Sequence, residues 1–232
     1  MKQNNFGNTY PIELNKKVII IGGMGHGSII AEVIEDNRRK YNDNEWLVAG
    51  FCNDFDTVVD NYKVLGKIKD IPTLLKQGYY FSWGIHLIGR NYKTEDIFNS
   101  IDIPDNRWAA IIHKSSFISS SAEIRSGAFV MYGSYIGPRT IVGKYAMIKA
   151  NVNIGHDVFI EPLCHIAMGA NINSNVRLGT CSDVSVGAQV MLDIHIGAHS
   201  MLGAQALDMH DIPDGEIHIG VPARFLKLMK KN

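Results

Sequence analysis

Little in this chain is in excess. Its 23 Lys and Arg balance 23 Asp and Glu, a formal net charge of zero, so it lacks the one-signed field that captures nucleic acid or an anionic membrane. No apolar run approaches the roughly 18 residues a membrane span requires. The opening stretch MKQNNFGNTYPIELNKK lacks the apolar core of a signal peptide. Three cysteines, Cys52, Cys164 and Cys181, give neither an even disulfide set nor a C-x-x-C pair. The expectation is a cytoplasmic protein with no nucleic-acid and no membrane partner. Its 232 residues suffice for one large or two small domains.

What is present is a period. Every sixth residue from Ile118 to Leu202 is aliphatic, passing through Ile124, Val130, Ile136, Val142, Ile148, Ile154, Ile160, Ile166, Ile172, Leu178, Val184, Val190 and Ile196. A helix repeats its apolar positions at three and four, and a lone strand at two, so neither accounts for a strict six. A chain that turns after each short strand and returns to one interior does, which predicts a parallel β-helix of hexapeptide repeats. Small or β-branched residues two places before the anchors, such as Ala128, Thr140, Val152 and Cys164, support it. After Leu202 the period fails at Asp208, so Gln205 to Glu216 reads as an excursion loop, followed by a short strand at Ile217–Gly220 and a basic tail helix over Arg224–Lys231.

The N-terminal half alternates instead. Residues 1–15 read as a leader. Strands are expected at Lys17–Ile21, Leu47–Phe51, Val64–Gly66, Tyr79–Trp83 and Trp108–Ile112, and helices at Ser28–Arg39, Asp70–Gln77 and Tyr92–Ser100. Strands alternating with helices predict a small parallel, Rossmann-like α/β sheet, with an α/β domain over 16–112 and a β-helix domain over 113–232. Gly22-Gly23-Met24-Gly25-His26-Gly27 joins the first strand to the first helix. Free backbone N–H groups and the positive end of the helix dipole converge at such a turn, which suits phosphate. The pattern G-x-G-x-G departs from the dinucleotide fingerprint and argues against a nicotinamide cofactor. Asn53 and Asp54, just past the second strand, lie where an amide or carboxylate can meet a ribose or base edge.

In the repeats, His156-Asp157 follows a Gly that follows an anchor, so it belongs at a corner, outside the packed interior. An imidazole there can cycle protons near neutral pH. His165, nine residues on, precedes an anchor and is expected close to His156. His195 and His199 raise zinc chemistry as a rival, but three protein ligands are needed and no third lies in register, so no metal is expected.

These features together resemble the two-domain nucleotide-sugar N-acetyltransferases of the sialic-acid O-acetyltransferase-like family, which includes the enzymes acting on bacillosamine and perosamine precursors. The likeness runs from about Lys16 and rests on the glycine loop, on Asn153-x-x-His156-Asp157 with His165 beyond it, and on the closing Gly220-Val221-Pro222-Ala223. It implies a left-handed β-helix binding acetyl-CoA as co-substrate in a groove between subunits of a homotrimer, and an α/β domain binding a UDP- or GDP-linked 4-amino-4,6-dideoxy sugar. By position, His156 would be the general base and Asp157 its partner. His165, Val186, Ala204, Pro222 and Arg224 would line the cofactor channel, and Met24, Gly25, His26, Asn53, Asp54 and Gly84 the nucleotide site. This chain has Gly84-Ile85-His86 where relatives commonly carry Gly-Asn, and Asn53 where they often carry a second Asp. Sugar O-acetylation, and more distantly a non-catalytic scaffold or a zinc hydratase, are the alternatives. The apolar outward residues Met131, Tyr132, Tyr135, Tyr145, Met147 and Phe159 are expected to be buried between subunits.

Overall fold

The structure, a computed structural model, describes residues 13–231 and the backbone of a short antiparallel pairing between Lys2–Gln3 and Thr9–Tyr10. Most of the 1–15 leader lies outside the described residues. From Lys16 the chain builds β1 (Lys16–Ile21), α1 (His26–Tyr41), β2 (Trp46–Cys52), β3 (Val58–Val59), β4 (Tyr62–Gly66), α2 (Ile71–Lys76), β5 (Tyr80–Trp83) and α3 (Asn91–Asn99). The strands form one sheet in the order β3-β4-β2-β1-β5, parallel except for the short β3–β4 hairpin. β1 is buried on both faces from Val18 to Ile21, which is why it reads as an unbroken aliphatic run. In α1, Ile30, Val33, Ile34 and Asn37 are buried, a stripe at helical spacing that packs on the sheet.

From Ile111 the chain winds as a three-sided left-handed β-helix. Each coil takes 18 residues, as in the pairing of Phe129–Val130 with Met147–Ile148. The first face stacks strands from Glu123–Ile124 to His195–Ile196, the second from Ile111–Ile112 to Met201–Leu202 and beyond, and the third from Phe117–Ile118 to Leu207–Asp208. Ile111–Ile112 pairs with Phe129–Val130, so the first rung of the solenoid precedes residue 113. The anchors from Val130 to Leu202 form a continuous buried column with the small residues Ala128, Ala146, Val152, Cys164 and Ala170. A fully buried aliphatic side chain contributes about 1.5–3 kcal/mol, so the run of anchors supplies most of what holds the solenoid. The corners require left-handed backbone. Arg139, Asp157, Asn175 and Asp193 hold it in one column with φ between 57 and 62°, mostly residue types that tolerate αL.

Three expectations fail. Gln205–Glu216 is a final coil and no excursion loop: Leu207–Asp208 adds a rung to the third face and Ile212 bridges to Ile196. Asp208 pairs with Val190 and so keeps the regular anchor position; the coil loses two residues only after it, since Ile212 bridges to Ile196 and His218 pairs with Leu202. The basic tail is a strand and no helix. Arg224–Leu228 pairs antiparallel with Glu216–Ile219, because a free sheet edge beside it offers backbone hydrogen bonds that outweigh helical propensity. Finally, Met131, Tyr145 and Met147 are buried within one chain. The α/β domain sits on the second face and covers them with residues from α1, β1 and the Trp83–Trp108 aromatic cluster.

Candidate active site

Two histidine centres emerge on opposite sides of the prism. His156 follows the strand Asn153–Ile154 of the third face and precedes Phe159–Ile160 of the first. It therefore occupies the vertex opposite the second face. Its side chain is half exposed, and its Nδ1 lies 2.6 Å from Asp157 Oδ2. Arg139, one coil below, grips both oxygens of Asp157 at 2.6 Å. That bidentate contact, then the bond to His156, holds the Asp157 carboxyl down at about 2. An ionised Asp157 can only accept, so the neutral form of His156 carries its proton on Nδ1, facing Asp157, and leaves Nε2 as the free acceptor. Arg139 was not foreseen, although its 18-residue separation from Asp157 is the signal that places one above the other.

His165 lies on the second face, in the strand His165–Ile166. Within one chain it is not beside His156: the prism stands between them. It is 97% buried under the α/β domain, with Nδ1 2.8 Å from Asp183 Oδ1. Val186 and Ala204 share a column of residues 18 apart with Tyr132 and Met168 along the corner between the second and third faces, and all four are exposed. Pro222 and Arg224 are exposed where the chain enters its last strand.

The residues expected at a nucleotide site cluster at the carboxyl ends of the parallel strands. Gly25 caps α1 with φ +94°, without a side-chain hydrogen bond and without an acidic residue in the first turn, so the amides at this terminus remain available to an anion. Met24 and Gly25 are exposed. At Gly22 a Cβ would come within 2.6 Å of the Gly84 carbonyl oxygen, so this glycine lets the two loops touch. Asn53 braces the loops with its whole side chain. Oδ1 accepts from the amides of Phe55 and Asp56, and Nδ2 donates to Gly22 O and Asp56. Asp54 accepts from the amide of Ile68. His26, the first residue of α1, accepts at Nδ1 from the Lys149 ammonium, 2.9 Å away on the second face.

Burial lowers both members of that pair: His26 falls to about 3, with the Lys149 charge as the next cause, and Lys149 to about 8. Between pH 8 and the ordinary lysine value near 10.5, the unfolded chain holds a proton the folded chain has released, so this group adds stability as pH rises across that window. Lys149→Met is therefore expected to raise the melting temperature at pH 7, with the gain shrinking as pH approaches 10. Paired melts at pH 7 and pH 10 check this; a gain that grows with pH would contradict it.

His199, half of the sequence's zinc rival, gives Nε2 to Glu95 at 2.7 Å and stacks on Tyr92. Among the described residues, the one group whose donor atoms gather closely enough for a cation is His86, His165 and Asp183.

The two-domain fold has counterparts among known proteins. Residues 17–101 match the family described as the PglD N-terminal domain. No curated protein matches the chain in sequence. Among solved structures, it is similar to PerB from Caulobacter crescentus in complex with CoA and GDP-perosamine, with 27% identity and a TM-score of 0.78 over 91% of this chain and 97% of that one. The acetyltransferase domain of PglB from Neisseria gonorrhoeae, in complex with acetyl coenzyme A, shares the fold at 24% identity and a TM-score of 0.77, covering 91% and 100%. WeeI from Acinetobacter baumannii does so at 18% identity and 0.74, covering 90% and 99%. Residues 17–101 thus match the PglD N-terminal domain, and they are joined to a hexapeptide-repeat β-helix, a two-domain build that the chain shares with PerB over 91% of its length.

Proposed function

We propose that the protein transfers the acetyl group of acetyl-CoA to the amine of a nucleotide-linked 4-amino-4,6-dideoxy sugar, with His156 as general base. The observation that carries this reading is the full-length likeness to a structure holding both CoA and GDP-perosamine, joined to a half-exposed imidazole whose tautomer is set by Asp157. An amine must lose a proton as it attacks a thioester, and a neutral imidazole is suited to accept it. The reaction balances simply: a C–N bond forms, the C–S bond breaks, His156 takes the amine proton and returns it to the departing sulfur, and CoA leaves as the thiol. Among the described residues no Ser or Cys hydrogen-bonds to His156 through its ring, which favours direct transfer over an acyl-enzyme. A thiol-release assay across UDP- and GDP-linked amino sugars tests it. Release that requires such a sugar supports the proposal, and indifference to every amino sugar refutes it.

The opposite placement of His156 and His165 bears on assembly. If both serve one reaction, the vertex of one chain must approach the second-face side of another. A homotrimer with sites between subunits meets that demand, and the exposed Tyr132, Met168 and Val186 give it apolar surface to cover. Mixing His156→Ala chains with Gly25→Val chains, at a sugar concentration where each alone is nearly silent, should regenerate about a quarter of the sites, by random assembly of chains whose sites draw on two subunits. No recovery after subunit exchange, or full activity in a species that sediments as a monomer, would contradict shared sites.

A further inference from the structure

The buried contact between the two domains surrounds His165 with groups that the acyl-transfer reading does not by itself explain. Asp183 lies on the second face, one coil beyond His165, and both its oxygens are engaged. Oδ1 is 2.8 Å from His165 Nδ1, and Oδ2 is 3.0 Å from His86 Nε2. His86 arrives from the other domain, on the loop after β5. All three side chains are buried. The two imidazoles stack at 4.2 Å with 14° between planes, and His26 stands edge-on to His165 at 5.3 Å. His165 Nε2 is buried with no hydrogen-bond partner.

These three residue types could hold a cation, but the arrangement serves hydrogen bonds instead. The rings are nearly parallel, and their nitrogens meet different oxygens of Asp183. Metal ligands must converge on one point at about 2.0–2.2 Å. An ionised carboxylate accepts and never donates, so both ring nitrogens that face it bear protons. Burial opposes ionisation of Asp183, yet the His86 charge and the hydrogen bonds from both rings outweigh it and keep the carboxyl well below its usual range. Burial also pushes His165 down, against the bond to Asp183, and His86 and Lys149 add to that push. His165, faced by Asp183, His86, His26 and Lys149, is therefore neutral at pH 7, with its single proton on Nδ1.

We infer that Asp183, held in turn by His86, is a positioning residue that fixes His165 as the Nδ1–H tautomer, so that His165 meets a bound substrate through Nε2 as a hydrogen-bond acceptor. This rests on the acyl-transfer reading for what fills the groove; the tautomer does not. An acceptor selects an N–H group, either an amide of the pantetheine arm or the sugar amine, and not the thioester carbonyl, which itself only accepts. His86 then has a reason: it occupies the second oxygen of Asp183 and ties the loop after β5 to the second face of the solenoid.

Neutron diffraction from the perdeuterated protein at pH 7 tests the tautomer without any turnover. Deuterium on His165 Nδ1 and none on Nε2 is expected; deuterium on Nε2, alone or with Nδ1, overturns the inference. Asp183→Asn, which cannot accept from both rings, should lower kcat/KM about 10²-fold, whereas Asp183→Glu, which keeps two acceptor oxygens, should retain more. A raised KM for acetyl-CoA assigns the N–H to the pantetheine arm, and a lowered kcat with unchanged KM assigns it to the amine. Wild-type kinetics in Asp183→Asn would sink the positioning role. An active transferase whose His165 is the Nε2–H form defeats this inference alone, and an Nδ1–H His165 in a protein without transferase activity defeats the acyl-transfer reading alone.

Discussion

His156→Ala is expected to lower kcat by about 10² to 10⁴ while leaving acetyl-CoA affinity within a few-fold of wild type. The imidazole is half exposed and, among the described residues, bonds through its ring only to Asp157, so its removal leaves no cavity and no orphaned interior group. The chain should fold normally, and the loss should be one of chemistry. Arg139→Ala should follow the same direction more mildly, because it frees Asp157 without removing the base. Steady-state rates alongside acetyl-CoA titration by calorimetry separate the two effects. An unchanged kcat in His156→Ala would remove it from the reaction.

Gly25→Val should weaken nucleotide-sugar binding by roughly 10²-fold and acetyl-CoA binding hardly at all. A Cβ at Gly25 meets nothing within 4 Å, so space is not the obstacle in the free protein. The backbone is, because φ +94° is a conformation that a β-branched residue cannot hold without strain of about 1–3 kcal/mol. The space a Val would fill is also the approach by which a phosphate reaches the N-terminus of α1. Parallel loss of both ligands would mean that the α/β domain had unfolded. Undiminished nucleotide-sugar affinity would show that the loop binds no phosphate.

The parts legible in the sequence were those governed by local period. The anchors from Ile118 to Leu202 repeat because each coil returns to one interior, and the strand-glycine-helix order of residues 17–39 needs only local spacing to be read. The His156–Asp157 pair was legible for the same reason, since adjacency in sequence placed both on one corner. What stayed hidden depends on which face meets what. Nothing in the spacing of Met131, Tyr145 and Met147 says that this chain's own α/β domain covers them. Nor does it say that His86 crosses a domain boundary to reach Asp183. The column Met147, His165, Asp183 and Met201, at steps of 18, would have placed Asp183 beside His165 had the coil length been applied to outward positions as well as to anchors. The tail misled because its sequence is compatible with a helix, and only the folded solenoid supplies the edge that converts it to a strand.

The most direct test of the account incubates the protein with acetyl-CoA and either UDP- or GDP-linked 4-amino-4,6-dideoxy sugar, and follows free thiol and product mass together. The account predicts one thiol released per sugar, with the sugar heavier by a single acetyl group that base hydrolysis of esters does not remove. Release of thiol without acetylated sugar, or an acetyl group lost under mild base, would contradict N-acetylation.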